Sequence, residues 1–578
     1  MCRDLTREGD EPYGTLLRVC GDFARHLLGD YVSVDEVRDS ELSEAVLCAF
    51  GEGVTEVVVE KDYFDLDYRS EFSATHETTF AARNPSTARI HVFAGRGIPG
   101  SEPCGLYDYV DQHVSSYLGY VVVRPQQPGS VGRSMIAPRR VLDSMKDPST
   151  FHARVRTAVT EIVTLFGIQL SATAVPFIEQ DEQLLRCVHA AAWMCHYSAV
   201  LRGLVPRRPT AAIHQAEDKS YALGRPYPSS GMTDIALSRV LTNVDLAAEF
   251  VVDDILLEGR PPQWYDRKGL WTVQEDDEET WAVENLTATV CRYLNSGLPT
   301  ILAENDEEHA QVVCGYLRAN HIKGPSGSAL NPQQSDVVAL IVHDDQVGPY
   351  LEVPVSELAE KLSTARDLTL LIPLPHGLWL DGGQAERIGA SLFSSEVKSR
   401  YGKLDPWLDA LDDLEDGDKV LVREGMERAY SGVSVDTSVP NSEAILAVRS
   451  YALSGSDFKR GFAEVKPDCR EIAGLVRLPK YVWVVEVHDR DLRGQQGSPA
   501  AIGTVVLDAS AVVKRPSEWR SVEALLINVP GQIRVSGENT WRHVSPKPRY
   551  SCRWHHDRAW LISTDAVSAR AKGAMSAR

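Results

Sequence analysis

A chain of 578 residues is too long for one hydrophobic core and predicts roughly three or four domains. Its apolar fraction of 43% is ordinary for a globular protein and excludes a wholly disordered chain. The 60 basic and 81 acidic side chains give a formal charge of −21, which argues against a nucleic-acid backbone as the main partner. A protein or peptide partner is more compatible with this charge.

The ten cysteines are scattered without a CxxC pair, so the sequence predicts neither a metal site nor a disulfide framework. The first residues lack the apolar core of a secretory signal, and no apolar run reaches the roughly 18 residues of a membrane span. We therefore expect a cytoplasmic protein with no membrane segment and no cofactor. The sequence does not indicate an oligomeric state.

The N-terminal region, residues 1–147, is predicted to combine helices and strands in an α/β or α+β arrangement. Helical patterns cover residues 13–28 and 34–50, and a strand begins near residue 55. Two further strands, near 117–123 and 131–136, flank a proline-glycine turn. Arg124 and Arg133 lie close to this turn, and we expect them to form surface or structural ion pairs.

An acidic and aromatic segment follows the first of these strands. Its aspartates, Asp62, Asp65 and Asp67, resemble the start of a calcium loop, but the turn glycine and the terminal glutamate of such a loop are missing. We therefore predict a solvated bend held by its tyrosines.

A central domain is predicted for residues 148–393. It would open with a helix that Gly167 ends, because apolar residues recur on one helical face, at Val155, Val159, Ile162, Val163 and Phe166. An apolar strand over residues 170–178 follows. A short polar loop then leads into a run of good helix formers that extends to Leu201.

Cys187 stands where this polar loop becomes the helix. The unpaired amide groups in the first turn of a helix stabilise a thiolate, which is the nucleophilic form of cysteine. The alternative is a small apolar residue packed under the helix, since cysteine is often buried.

Downstream, three short apolar runs near residues 299–304, 309–316 and 337–344 predict antiparallel strands. His309 would open the second strand and Asp344 would close the third. A thiolate needs an imidazole partner, and the imidazole needs an acceptor that fixes its tautomer. Cys187, His309 and Asp344 supply these three roles, whereas Asp345 falls in the following turn, where we expect it to be solvated.

The C-terminal region, residues 394–565, is predicted to be α+β and rich in strands. Residues 480–488 and 501–508 predict a β-hairpin around a charged, glycine-containing turn. Residues 566–578 have no apolar face and predict a disordered tail.

The central segment resembles the papain-like cysteine peptidase superfamily over about residues 170–380. His309-Ala310 and Gly315-Tyr316 have the spacing of that superfamily's histidine strand, and Cys187 before an alanine-rich helix is similar to its nucleophile helix. An aspartate that ends the next strand is closest in pattern to the bacteriocin-processing peptidases. The resemblance implies an α+β fold in which the nucleophile helix packs on an antiparallel sheet.

The resemblance also implies a Cys-His-Asp peptidase or isopeptidase acting on a protein or peptide. These families place an oxyanion-hole glutamine six residues before the cysteine, where this chain has Asp181, and we assign that role to Gln180. Acyl transfer of the transglutaminase type would use the same residues. The other hypothesis is a catalytically inactive scaffold or sensor that binds protein partners, motivated by Asp181 and by Val188 after the cysteine.

Overall fold

A computed structural model gives the structure of the chain. It describes residues 2–4, 45–46, 49–50, 56–74, 77, 84–94, 106–125, 131–138, 151–180, 187–217, 234–251, 278–304, 309–319, 337–358, 368–409, 416–434, 446–465, 467–493, 499–513, 522–537 and 542–543. Helices are mixed with antiparallel sheets, so the predicted α+β class holds in this general form. The tail at 566–578 and the helical pattern at 13–28 lie outside the described residues.

The first sheet has seven strands in the order β1-β2-β3-β4-β5-β8-β7. Their bounds are β1 Cys2–Asp4, β2 Glu56–Tyr63, β3 Thr87–Phe93, β4 Tyr117–Val123, β5 Val131–Ile136, β7 Val159–Leu165 and β8 Ile168–Phe177. The helices α1 Leu66–Ala74 and α2 Leu106–Gln112 belong to the same region, with a 3₁₀ turn at Val114–Ser116. Its strand pairs are all antiparallel, so among the described residues this region is α+β and not α/β.

The prediction of a helix at the start of the central domain is wrong. Residues 151–154 form strand β6, and Val159–Leu165 form β7, which pairs with β8. The run is dominated by β-branched residues, which favour strands, and its burial alternates with a period of two. Ile162 is accordingly 63% exposed, and Phe166 and Gly167 turn the chain with positive φ angles of 53° and 84°.

The second sheet follows the order β13-β12-β11-β10-β14-β9, and β6 also pairs with β11. Its bounds are β6 Phe151–Arg154, β9 Leu246–Val251, β10 Thr300–Glu304, β11 His309–Ala319, β12 Val337–Asp344, β13 Gly348–Pro354 and β14 Leu368–Pro375. The three strands predicted in this part of the chain are therefore confirmed. Helices α4 Thr210–Glu217, α5 Asp234–Asn243 and α6 Glu278–Asn295 come before β10 in the chain.

Helix α3, Cys187–Leu201, lies between the first two sheets. It packs against β7 and β8 on one side and against β10, β11 and β14 on the other. Twelve of its 15 residues are buried, as expected for a helix that is apolar on every face. The helix begins at Cys187, as the sequence predicts, so this residue lies at the junction of the two sheets.

The third sheet is a six-stranded antiparallel meander, β15 to β20 in sequence order. It comprises β15 Leu446–Ser454, β16 Tyr481–Arg493, β17 Pro499–Asp508, β18 Ala524–Val529, β19 Gln532–Val535 and β20 Arg542–His543. The accompanying helices are α7 Gly382–Tyr401, α8 Leu404–Asp409, α9 Asp416–Ser434, α10 Gly455–Val465 and α11 Pro467–Leu475. The predicted hairpin is confirmed as β16 and β17.

The hydrophobic cores cross the domain boundaries predicted from the sequence. Strand β8 pairs with β5 across the boundary at 147/148, and α7 runs through the boundary at 393/394. One core joins the first sheet, α3 and one face of the second sheet, and another joins the opposite face to α7 and the third sheet. None of the described helices combines the length and apolar character needed to cross a membrane.

Candidate active site

The predicted site residues converge where α3 begins. His309 is the first residue of β11, and Asp344 is the last residue of the neighbouring strand β12. Helix α3 packs on β11, which brings Cys187 to the same end of the sheet. Cys187 and Asp344 lie more than 150 positions apart in the sequence, with His309 between them. The antiparallel pairing of β11 with β12 and the packing of α3 on β11 bring the three residues together.

His309 and Asp344 form a close ion pair. The distance from His309 Nε2 to Asp344 Oδ2 is 2.8 Å, and the two side chains are 14% and 4% exposed. The hydrogen bond and charge of His309 and the amides of Gln346 and Val347 outweigh the opposing effect of burial, and they lower the pKa of Asp344 to about 2. Asp344 is therefore ionised at neutral pH, so Nε2 of His309 donates the hydrogen bond.

The carboxylate of Asp344 is fully occupied by hydrogen bonds. Its Oδ2 also accepts a hydrogen bond from Gln311 Nε2 at 2.8 Å. Its Oδ1 accepts from the backbone amides of Gln346 and Val347, at 2.8 and 2.9 Å. Sequence reasoning missed Gln311, although strand alternation places it on the same face as His309, two residues away.

Cys187 is hydrogen-bonded to the His309 ring. Nε2 of that ring faces Asp344, and its buried Nδ1 has no other hydrogen-bond partner in the part of the chain that the structure describes. Burial disfavours the charged ring, but the hydrogen bonds with Asp344 and Cys187 and the charges of Asp344 and Asp345 raise the pKa of His309 to about 10. The ring is therefore an imidazolium at neutral pH. Cys187 itself is 6% exposed.

His343 lies outside this constellation, as strand alternation predicts. It pairs with Val312 across the sheet and is fully buried, with ring contacts to Phe177 and Tyr350. Burial lowers the pKa of His343 to about 3, so it is a neutral core residue. His189, in the first turn of α3, is fully buried as well.

Asp345 differs from the expectation of a solvated turn residue. It is 1% exposed, and neither of its carboxylate oxygens has a hydrogen-bond partner among the described residues. Burial, reinforced by the charge of Asp344, raises the pKa of Asp345 to about 8 against the effect of His309. The turn after β12 folds inward because Asp344 binds its amides, and this places Asp345 beside the ion pair.

The predicted oxyanion residue, Gln180, lies just beyond the end of β8 and is buried, with 9% exposed. No hydrogen bond of its side chain is found among the described residues. Asp181 lies outside them.

The spacing of cysteines and histidines gave no sign of a metal site, yet the fold brings potential ligands together. One ligand atom from each of His309, Asp344 and Asp345 lies within 4.8 Å of the others. Cys187 adds a sulfur beside the same ring. The site therefore contains a thiol, an imidazolium and two carboxyl groups of unequal pKa, a set that could support nucleophilic catalysis or metal binding.

Comparisons with known proteins return no relative. No protein-family model matches the chain, and neither does any curated protein or solved structure. The functional argument therefore depends on the geometry of these side chains.

Proposed function

We propose that the chain is a cysteine hydrolase, a peptidase or isopeptidase, in which Cys187 is the nucleophile. The observation that carries this proposal is the position of His309, which is hydrogen-bonded to Cys187 on one side and to Asp344 on the other. A nucleophile, a base and an orienting acid in this order form the general arrangement for covalent acyl transfer. The start of a buried helix at Cys187 adds a favourable field for the thiolate.

In the first step, the thiolate of Cys187 attacks the carbonyl carbon of the scissile amide and a carbon–sulfur bond forms. The His309 imidazolium gives its Nδ1 proton to the leaving nitrogen as the carbon–nitrogen bond breaks. Water then attacks the thioester and gives a proton to His309, which releases the acid and restores the thiolate. Asp344 holds the ring in one orientation and stabilises its positive charge throughout.

The oxyanion of each tetrahedral intermediate needs donors, for which we assign the Cys187 amide and the Gln180 side chain. The arrangement of a buried helix on an antiparallel sheet supports a papain-like relationship for this part of the chain. A protein or peptide substrate and a cytoplasmic location remain predictions. Transfer of the acyl group to an amine instead of water would use the same residues.

A catalytically inactive scaffold is the second candidate, and the burial of Cys187 favours it. A thiol that is 6% exposed offers little surface to a substrate. The donor that Gln180 would provide also has no partner that fixes its direction among the described residues.

The proposal is tested by incubating the purified chain with a complex peptide library and identifying new termini by mass spectrometry. The unaltered chain should produce a reproducible set of cleavages, and Cys187→Ala should reduce their rate by at least about 10⁴-fold. His309→Ala should be similarly inactive, whereas the matched control His376→Ala, at an exposed position, should not. Cleavage that persists in Cys187→Ala would refute the proposal.

A further inference from the structure

The carboxylate of Asp344 is held by more donors than the proposed reaction uses. Its Oδ1 accepts hydrogen bonds from two backbone amides of the turn after β12. Its Oδ2 accepts from the side chains of His309 and Gln311. Among the described residues, Gln311 is the one side chain besides His309 that donates to this carboxylate, and the proposed hydrolysis gives it no role.

The strand register explains why Gln311 reaches Asp344. Val312 of β11 is paired with His343 of β12. One step along each strand, in opposite directions, places Gln311 opposite Asp344. Directly opposed side chains have Cβ atoms about 4.5 to 5.5 Å apart, whereas diagonal neighbours are about 7 to 8 Å apart. Gln311 is therefore the direct cross-strand neighbour of Asp344, and His309, two residues earlier in β11, is the diagonal one.

The sheet fixes the backbone of Gln311 from both sides. Strand β11 lies between β10 and β12, and Gln311 itself pairs with Leu302 of β10. Its Nε2 atom lies 2.8 Å from Asp344 Oδ2, the same distance as the Nε2 atom of His309. Two donors thus meet at one oxygen and, together with the turn amides on Oδ1, they fix the plane of the carboxylate.

An uncharged amide suits this position. Asp344 is ionised at neutral pH and can only accept hydrogen bonds, and Gln311 supplies a donor without adding a charge. A lysine or arginine in its place would pair with Asp344 and compete with His309 for the carboxylate. The amide also keeps its proton when His309 gains or loses one at Nδ1, so Asp344 stays oriented through both steps of the reaction.

We propose that Gln311 is a positioning residue, which holds Asp344 Oδ2 toward His309 Nε2 and acts on the reaction through Asp344 alone. The proposal rests on the proposed function, because it assigns Gln311 a part in that reaction. Without the amide, the carboxylate can rotate about its Cβ–Cγ bond, and the His309 ring loses the fixed acceptor that sets its orientation.

The kinetics of a peptide that the unaltered chain cleaves test this role. Gln311→Met, similar in volume but without a donor, should lower kcat about 10-fold and leave KM within about 2-fold. The control Gln169→Met replaces an exposed glutamine of β8 and should change neither constant. In an Asp344→Ala background, Gln311→Met should lower kcat by less than about 2-fold more, because the group through which it acts is gone.

Circular dichroism checks that each variant is folded. If Gln311→Met is not, Gln311→Val replaces it, since valine favours a strand and also lacks a donor. A kcat that either folded variant leaves unchanged would overturn the proposal. A loss confined to KM would assign Gln311 to substrate binding, and a full further loss in the Asp344→Ala background would assign it to the fold, so either result would overturn the proposal as well.

A spectroscopic measurement separates this proposal from the proposed hydrolysis. In a chain with isotope-labelled histidine, the Nε2 proton of His309 should give a downfield NMR signal at neutral pH that His309→Ala removes. Gln311→Met should shift or broaden this signal, and Gln169→Met should not. If the chain cleaves no peptide but the signal responds to Gln311→Met, the hydrolysis is refuted and the positioning of the ring is retained. If the signal does not respond, the positioning is refuted.

Discussion

Helix α3 has a polar cluster near each end, and the two clusters differ in how one buried charged group in each is hydrogen-bonded. Near its C-terminal end, Tyr197 belongs to a network around Arg133, which is 4% exposed. Each guanidinium nitrogen of Arg133 donates at 2.6 to 3.1 Å, and its partners are Asp65, Glu161, Tyr197 and Tyr63. At its N-terminal end, the two carboxylate oxygens of Asp345 have no hydrogen-bond partner among the described residues.

We infer from this difference that the network around Arg133 is structural and that the cluster around His309 is functional. Arg133 ties β5 to β2, β7, α1 and α3, and its hydrogen-bonding capacity is used within the chain. The cluster around His309 holds that ring between Asp344 and Cys187, and it leaves the Asp345 carboxylate without a hydrogen-bond partner among the described residues. Buried polar atoms without partners are uncommon and point to functional sites when they cluster.

Replacing Arg133 should cause the larger loss of stability. Arg133→Met leaves the buried Asp65 and the partly buried Glu161 without their cation, so we expect the free energy of unfolding to fall by about 3 to 5 kcal/mol. The control is Arg423→Met, which breaks an exposed ion pair with Asp405 and should cost less than about 1 kcal/mol. Urea unfolding followed by circular dichroism measures both. Equal effects would mean that the Arg133 network does not hold the fold.

Replacing Asp344 should affect turnover more than stability. Asp344→Asn keeps the size of the side chain but favours the wrong imidazole tautomer and removes the charge that stabilises the imidazolium. We expect kcat to fall by about 10² to 10⁴-fold with a small change in Tm. Peptide cleavage measured beside the exposed control Asp405→Asn tests this. A fully active Asp344→Asn protein would reduce the site to a Cys-His pair.

Replacing Asp345 should change how stability depends on pH. A folded-state pKa of about 8, above the ordinary aspartate pKa of 3.8, means that the contribution of Asp345 to stability is fully present below about pH 4 and is lost as the pH rises through 8. Asp345→Asn should therefore gain stability relative to the unaltered chain as the pH rises from 5 to 8, by up to about 1.4 kcal/mol per pH unit, and the gain should level off by pH 9. Thermal unfolding across this range measures the gap, and a constant gap would contradict the assignment.

The sequence predicted the local secondary structure around the site correctly. Helix α3 begins at the predicted cysteine, and β11 and β12 begin and end at the predicted histidine and aspartate, because polar residues mark abrupt ends of apolar runs. Strand alternation also separated His343 from Asp344. The helix predicted after residue 148 was wrong because the valines and isoleucine of this segment fit both helical and strand spacing over a short run.

The sequence did not predict which acidic residues are buried by tertiary contacts. Asp65 and Asp67 were expected in a solvated bend, yet both are 1% exposed, because Arg133 reaches them from β5 of the first sheet. Asp345 was expected to be solvated because its neighbours in the chain are turn residues. Partners contributed by distant strands decide the burial of such residues, and local composition does not reveal them.

The most direct test of the account is the rate at which each cysteine reacts with iodoacetamide at neutral pH, measured by peptide mapping. Cys187 should be alkylated at least about 10-fold faster than Cys195 and Cys314, which are buried thiols whose pKa values burial raises. His309→Ala should remove this advantage, because the imidazolium that stabilises the thiolate is gone. Alkylation of Cys187 at the same slow rate as Cys195, unchanged in His309→Ala, would contradict the account and leave Cys187 as a packing residue.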